Sequence, residues 1–234
     1  MKDQAGGNAF ETIADFLIAD RQGNEGLNAD DRLLATIGCL LAVSPSSPEL
    51  RGVLKQAIGR GQSPELLQTM LIHATGYLGV IATRRAHELL CAELNSAGLP
   101  KTISAVAQVA AKRQERVNSG IRLYDRFDPG RQAQQAAKFA TLSADYYPRA
   151  MELAGLVLAS PVLAARERQI MTVAMLSCVG GQTDQLSFHI GVALRNGVSK
   201  ETLGGILILV QAYAGMPRAN SAAGLAVEVL EPKG

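Results

Sequence analysis

The chain repeats itself, without a gap, at a shift of 136 positions. From Leu27 to Leu94, about 19 of the 68 positions hold the same residue as the position 136 further along, which is typical of one structural unit used twice. We call residues 27–94 the first copy and residues 163–230 the second copy. A chemical group that is present in only one copy stands out in such a comparison. The second copy carries His189 at the place where the first has Val53.

Composition favours closely packed helices. The 234 residues are 47% apolar but only 4% aromatic, without Trp, so the core must consist mainly of Ala, Leu, Val and Ile. The net charge of +2 is spread along the chain, which argues against a nucleic-acid partner. The cysteines are odd in number and widely spaced, at Cys39, Cys91 and Cys178, which indicates reduced thiols. A basic-then-apolar leader is missing, and no apolar run is long enough to cross a bilayer, so we expect a soluble, cytoplasmic protein without a membrane partner.

Helix signals recur in each copy and are clearest in the second. Residues 165–179 are apolar on nearly every side, and residues 184–196 are amphipathic. Ser199 is placed to cap a third helix through Ala214, and Gly215-Met216-Pro217 opens a last helix that runs to about Leu230. Since no segment alternates as a strand does, we predict an all-α fold of two tandem helical repeats.

The expected units are residues 1–105 and residues 106–234. The second unit includes a helical lead-in before the second copy. We predict that this lead-in is broken at Asp128-Pro129-Gly130 and again at Tyr146-Tyr147-Pro148, before a helix over residues 149–159.

An ordered series of motifs in the second copy resembles the γ-carboxymuconolactone decarboxylase family. The series comprises Arg166-Glu167-Arg168, Thr172-Val173-Ala174, Leu186-Ser187-Phe188-His189, residues 196–201 and Tyr213-Ala214-Gly215-Met216-Pro217. The first copy looks like a degenerate member, because it lacks the family histidine. The resemblance implies an all-helical fold that assembles into rings, often trimers of dimers. A tandem chain would then be a built-in dimer, and we expect a homo-oligomer of three chains.

The sister branch of that family, the alkylhydroperoxidase D-like proteins, uses a Cys-x-x-Cys pair ahead of its histidine. The corresponding positions here are Gln182 and Gln185. Without vicinal thiols, dithiol peroxidase chemistry is excluded.

The resemblance makes His189 the active-site histidine, and an imidazole on the apolar face of a helix suits proton transfer. A hydrogen-bonded core histidine is the alternative. The family also has a functional glutamate near Glu167, although a carboxylate in a first helical turn can simply favour the helix dipole. We predict His189 and Glu167 as catalytic residues.

Four further residues are predicted to bind substrate. Arg168 is shared with Arg32 of the first copy, so it can serve a structural pairing or a substrate. Tyr213 can pack under the glycine turn or line a pocket, and Arg218 is a candidate for holding a spectator carboxylate. His73 either has a passive core or surface role or joins a composite pocket between the copies.

The leading hypothesis is a carboxy-lyase without cofactors or metal, similar to 4-carboxymuconolactone decarboxylases, that acts on a small carboxylated lactone or related unsaturated acid. In that reaction the lactone carbonyl accepts the electrons left by CO2, so the substrate is its own electron sink. Dehydration or isomerisation of a secondary metabolite on the same fold, and a non-catalytic oligomer that binds a small molecule, remain alternatives. His73, His87, Glu88 and Glu93 are too loosely spaced for a zinc site.

Overall fold

The computed structural model describes residues 26–101, 112–127, 129–158 and 160–231, and within these ranges it contains ten α-helices and no strand. The predicted all-α fold is therefore confirmed. In chain order the helices are α1 (Ala29–Val43), α2 (Pro48–Gly59), α3 (Pro64–Ser96), α4 (Arg113–Phe127), α5 (Arg131–Ala140), α6 (Tyr146–Val157), α7 (Ala165–Val179), α8 (Thr183–Arg195), α9 (Lys200–Ala214) and α10 (Met216–Leu230).

Helix boundaries in the two copies agree within two residues at the same shift of 136 positions. The bounds of α7 are those of α1 displaced by this number, and α9 begins and ends where the first half of α3 does. Helix α3 bends at Gly79, with φ 78° and ψ 165°, and Gly215 separates α9 from α10 with φ 87° and ψ 160°. Only glycine adopts this conformation without strain, so the same residue makes the same turn in both copies.

The two copies pack against each other in a reciprocal manner. Helix α1 lies along α7, α9 packs on α1, and α3 packs on α7. At the α1–α7 crossing, a Cβ atom on Gly38 would stand 2.9 Å from the carbonyl oxygen of Met171 and 3.2 Å from the Cβ of Ala174. Gly38 and Ala174 occupy equivalent positions in the two copies. The helices therefore cross at the same position of each copy. One continuous apolar core joins the copies, an arrangement that supports a built-in dimer.

An ion pair also crosses between the copies. Arg166 of α7 donates through both terminal nitrogens to the carboxylate of Asp31 in α1, at 2.6 and 2.7 Å. The Asp31 residue is buried, and the two-pronged contact suits the planar guanidinium. Asp31 therefore does more than stabilise the amino end of its own helix.

The lead-in consists of α4, α5 and α6. Helices α4 and α6 lie against each other, and Glu152 of α6 joins Arg113 and Arg116 of α4 in a charged network. Helix α6 also packs on α3 of the first copy. The predicted break at Tyr146-Tyr147-Pro148 is wrong, because α6 begins at Tyr146. Proline is tolerated in the first turn of a helix, where its missing N–H would have no partner within the helix.

Among the described helices, α3 alone has the length and apolar composition to cross a bilayer. Its bend at Gly79 divides it into two segments, however. The buried side chains of the first segment, among them Leu67 and Met70, belong to the core that the two copies share.

Candidate active site between the two copies

His189 lies on α8 and points into the contact between the copies, with 5% of the residue exposed. Its Nδ1 is 2.9 Å from Oε1 of Gln169 on α7. An amide oxygen accepts hydrogen bonds, so Nδ1 carries the proton and donates it, and Nε2 is the basic nitrogen of the neutral ring. The His189 ring also packs edge-on against Tyr77 of the first copy, with the ring centroids 5.4 Å apart.

His73 enters the same region from α3 of the first copy and is fully buried. Nη1 of Arg168 lies 3.3 Å from its Nδ1, and its Nε2 lies 2.9 Å from Oγ1 of Thr172. A guanidinium can only donate, so Nδ1 accepts and Nε2 donates to the threonine hydroxyl. Burial lowers the pKa of His73 well below its usual value, and the electrostatic effects of Arg168 and His189 lower it further. His73 is therefore neutral at pH 7.

Arg168, on α7, is a buried cation that is 4% exposed. Its other described hydrogen bond goes to the backbone carbonyl oxygen of Ser160, and no carboxylate in the described ranges lies within ion-pair distance of it. Burial lowers the pKa of Arg168 to about 10, so it stays charged at pH 7. A buried charge costs free energy unless an opposite charge or strong hydrogen bonds accompany it. This position therefore suits an anionic ligand.

Tyr77 of the first copy links the two histidines. Its ring centroid lies 5.2 Å from that of His73 and 5.4 Å from that of His189. Burial raises the pKa of the phenol well above its usual value, and a hydrogen bond with Thr172 offsets only part of this rise. The hydroxyl is thus a neutral hydrogen-bond donor at all physiological pH values.

Three of the six residues predicted from the sequence lie in this cluster: His189, Arg168 and His73. Glu167 binds elsewhere, since its Oε2 accepts the backbone N–H of Ala164 at 2.7 Å and so caps its own helix. Tyr213 packs against the core from α9. Arg218 is exposed and lines a separate pocket at the start of α10.

Sequence reasoning missed Gln169, which contacts His189, and gave Thr172 no role in the site. For Tyr77 it left open packing under the glycine turn or lining a pocket. A signal was available for Gln169. The first copy has Leu33 at that position, which is the same kind of asymmetry that marked His189. Within the described ranges, no group of three His, Cys, Asp or Glu side chains converges as metal ligands.

Comparison with known proteins gives matches to part of the chain. A family model described as the carboxymuconolactone decarboxylase family matches residues 144–228. The 4-carboxymuconolactone decarboxylase of Acinetobacter baylyi is 34% identical over 80 residues, which are 34% of this chain and 59% of that protein. The chain thus spans less than two thirds of this relative. The family-model match covers α6 to α9 and most of α10, and it includes Arg168, Gln169, Thr172 and His189. Residues 144–228 of this chain are therefore similar to the carboxymuconolactone decarboxylase family.

Proposed function

We propose that this protein is a cofactor-free carboxy-lyase that acts on a small carboxylated lactone or a related unsaturated acid. One observation carries the proposal: the buried Arg168 faces neutral groups and lies in one cluster with two histidines and a tyrosine. The family match of residues 144–228 and the similarity to a 4-carboxymuconolactone decarboxylase support this reaction class.

Arg168 has the charge and the burial to bind a carboxylate of the substrate. It must be a carboxylate that stays on the molecule, because an ion pair with the departing group would stabilise the ground state and slow the reaction. The bound anion would supply the negative charge that this site lacks among the described residues. Arg168 therefore acts as the substrate-orienting residue in our proposal.

The reaction needs one hydrogen-bond donor and one proton source. As the bond to the departing carboxylate breaks, CO2 leaves and the electron pair moves into the conjugated lactone carbonyl. The neutral phenol of Tyr77 can donate to the enolate oxygen that forms. His189, held by Gln169 through Nδ1, takes up a solvent proton at Nε2 and transfers it to carbon as the carbonyl re-forms. The ring then returns to its neutral form.

The test is release of CO2 from 4-carboxymuconolactone by the purified chain, compared with His189→Ala and with the matched first-copy variant Val53→Ala. We expect turnover that His189→Ala removes and Val53→Ala retains. Wild-type protein that is folded, binds the lactone and releases no CO2 would contradict the proposal.

Isomerisation is a second candidate, because the cluster holds two histidines with different partners. His73 lies beside a guanidinium, whereas His189 is hydrogen-bonded to an amide oxygen, and the Tyr77 ring packs against both. Such a pair can remove a proton from one carbon and deliver one to another. Deuterium exchange into the lactone without loss of CO2 would identify this reaction.

We further propose that three chains assemble into a ring. Apolar side chains lie exposed at equivalent places in the two copies: Val80 is 53% and Met216 is 61% exposed, and each begins the helical segment after its glycine turn. Light scattering should give the mass of a trimer. A monomer mass at every concentration would exclude this assembly.

A further inference from the structure

The second copy contains a pocket that the proposed reaction does not use. It measures about 400 Å³ and opens between the loop after α7, the amino end of α8 and the first half of α10. Its walls are mostly apolar, with Leu176, Leu186, Pro217 and Leu225. None of the side chains in the histidine cluster lines it.

Arg218 supplies positive charge at the wall of this pocket. Its side chain passes over Gly180, where an added Cβ would lie 3.7 Å from both Cγ and Nε of the arginine. No Asp or Glu is among the lining residues, and no described carboxylate forms an ion pair with Arg218. The guanidinium therefore stands at an apolar cavity whose described lining carries no negative charge.

Ser177 provides an independent observation that points to a ligand in this pocket. It lines the pocket, is 1% exposed, and its Oγ has no hydrogen-bond partner among the described residues. Buried hydroxyls are nearly always hydrogen-bonded, because an unpaired one costs free energy. The amino ends of α8 and α10 also lack side-chain caps. Their backbone N–H groups and the helix dipole favour an anion.

The equivalent region of the first copy lacks the serine hydroxyl, the arginine and the uncapped helix end. Leu41 takes the place of Ser177, and Ala82 takes the place of Arg218. The amino end of α2 is closed by Ser47, whose Oγ accepts the N–H of Leu50 at 3.2 Å. The unpaired hydroxyl, the cation and the open helix end therefore occur together in one copy and are all missing from the other.

We propose that this pocket binds a small organic anion, namely a carboxylate on an apolar body. Arginine pairs with a carboxylate through two parallel hydrogen bonds, and the leucine walls favour a hydrocarbon portion. The carboxylate lies between Arg218 and the amino end of α8, and a polar atom of the ligand satisfies Ser177. The site is separate from the histidine cluster and does not depend on the reaction proposed there.

Benzoate is a suitable probe, and methyl NMR of the full chain can locate where it binds. We expect titration to shift the methyl signals of Leu176, Leu186 and Leu225 in a saturable way. Benzamide, which keeps the ring without the charge, and inorganic phosphate, which keeps a charge without the ring, should each bind at least about tenfold more weakly. Phosphate binding as tight as that of benzoate would overturn the organic part of the proposal.

Arg218→Met tests the cation, with Arg85→Met as its matched control. Arg85 is an exposed arginine on the equivalent segment of the first copy. We expect Arg218→Met to raise the Kd for benzoate about tenfold or more, and Ser177→Ala to raise it about threefold, whereas Arg85→Met leaves it unchanged. Unaltered binding in Arg218→Met, or shifts confined to residues beside His189, would refute the site. No turnover is measured, so failure here leaves the proposed reaction untouched.

Discussion

The two copies have the same arrangement of helices but differ in the side chains at the candidate site. Their helices begin and end within two residues of equivalent positions, and both turn at a glycine, Gly79 or Gly215. Each copy also contributes its third helix to the other copy. A reciprocal arrangement of this kind defines two equivalent places for a site, one on each side of the α1–α7 crossing.

Only one of these places carries histidines. Where the described cluster has His73, Gln169 and His189, the equivalent place has Leu209, Leu33 and Val53. The arginine, threonine and tyrosine persist on both sides, as Arg32, Thr36 and Tyr213 in the place without histidines. Residues that are identical in the two copies therefore belong to the scaffold that both copies share. Residues that differ between the copies are the ones that give the second copy its candidate site.

The largest expected difference between the copies is in activity. His189→Ala should lower the rate of CO2 release by about 10²–10⁴-fold, because a positioned proton donor contributes that much. The melting temperature should stay within a few degrees. Val53→Ala should leave turnover intact and lower the free energy of unfolding by about 1 kcal/mol for the lost methyl groups. If residual activity in His189→Ala simply follows the folded fraction, the histidine is structural.

Arg168→Met should lower kcat/KM by about 10²-fold through the lost charged contact with substrate. Its free energy of unfolding should not fall, because methionine removes a buried charge that lacks a carboxylate partner in the described structure. Arg32→Met in the first copy should change neither quantity appreciably. Kinetics and urea unfolding of both variants measure these effects. Equal losses of activity in the two variants would mean that both places are used.

His73 should make folding stability depend on pH. Its pKa is lowered in the folded protein, so the unfolded chain binds the proton more readily. This contribution to stability is complete above about pH 6.5 and is lost as the pH falls from there towards the folded-state pKa, by at most about 1.4 kcal/mol per pH unit. His73→Leu places the residue of the second copy, Leu209, at this position and should flatten that slope. An unchanged slope would show that His73 does not titrate in this way.

The smallest effects are expected from removing the serine caps, and the loss of stability should be the same in the two copies. Ser63 and Ser199 cap α3 and α9, accepting the N–H groups of Leu66 and Thr202 at 3.1 Å in each case. Replacement of either serine by alanine should cost about 1 kcal/mol. Thermal unfolding of the two variants should agree closely. A clear difference would show that the two copies no longer share the same local structure.

Part of the candidate site could be predicted from the sequence, because some of its residues differ between the two copies of the repeat. The shift of 136 positions singled out His189 against Val53. The same comparison could have identified Gln169 against Leu33. It could not separate Glu167 from Gln169 as the partner of His189. Two residues along a helix differ in direction by about 200°, so the docking of α8 on α7 decides which of them meets the imidazole.

Local periodicity and single residues such as Gly215 were enough to predict most of the helices, caps and turns, and the duplication, although not the start of α6 at Tyr146. Tertiary structure alone decided that His73 and Tyr77 of one copy meet Arg168 and His189 of the other. Those partners lie far apart in the chain, and only the reciprocal packing of α3 on α7 brings them together. Burial then determines the protonation states of this cluster, because the removal of water around each group is a property of the folded molecule.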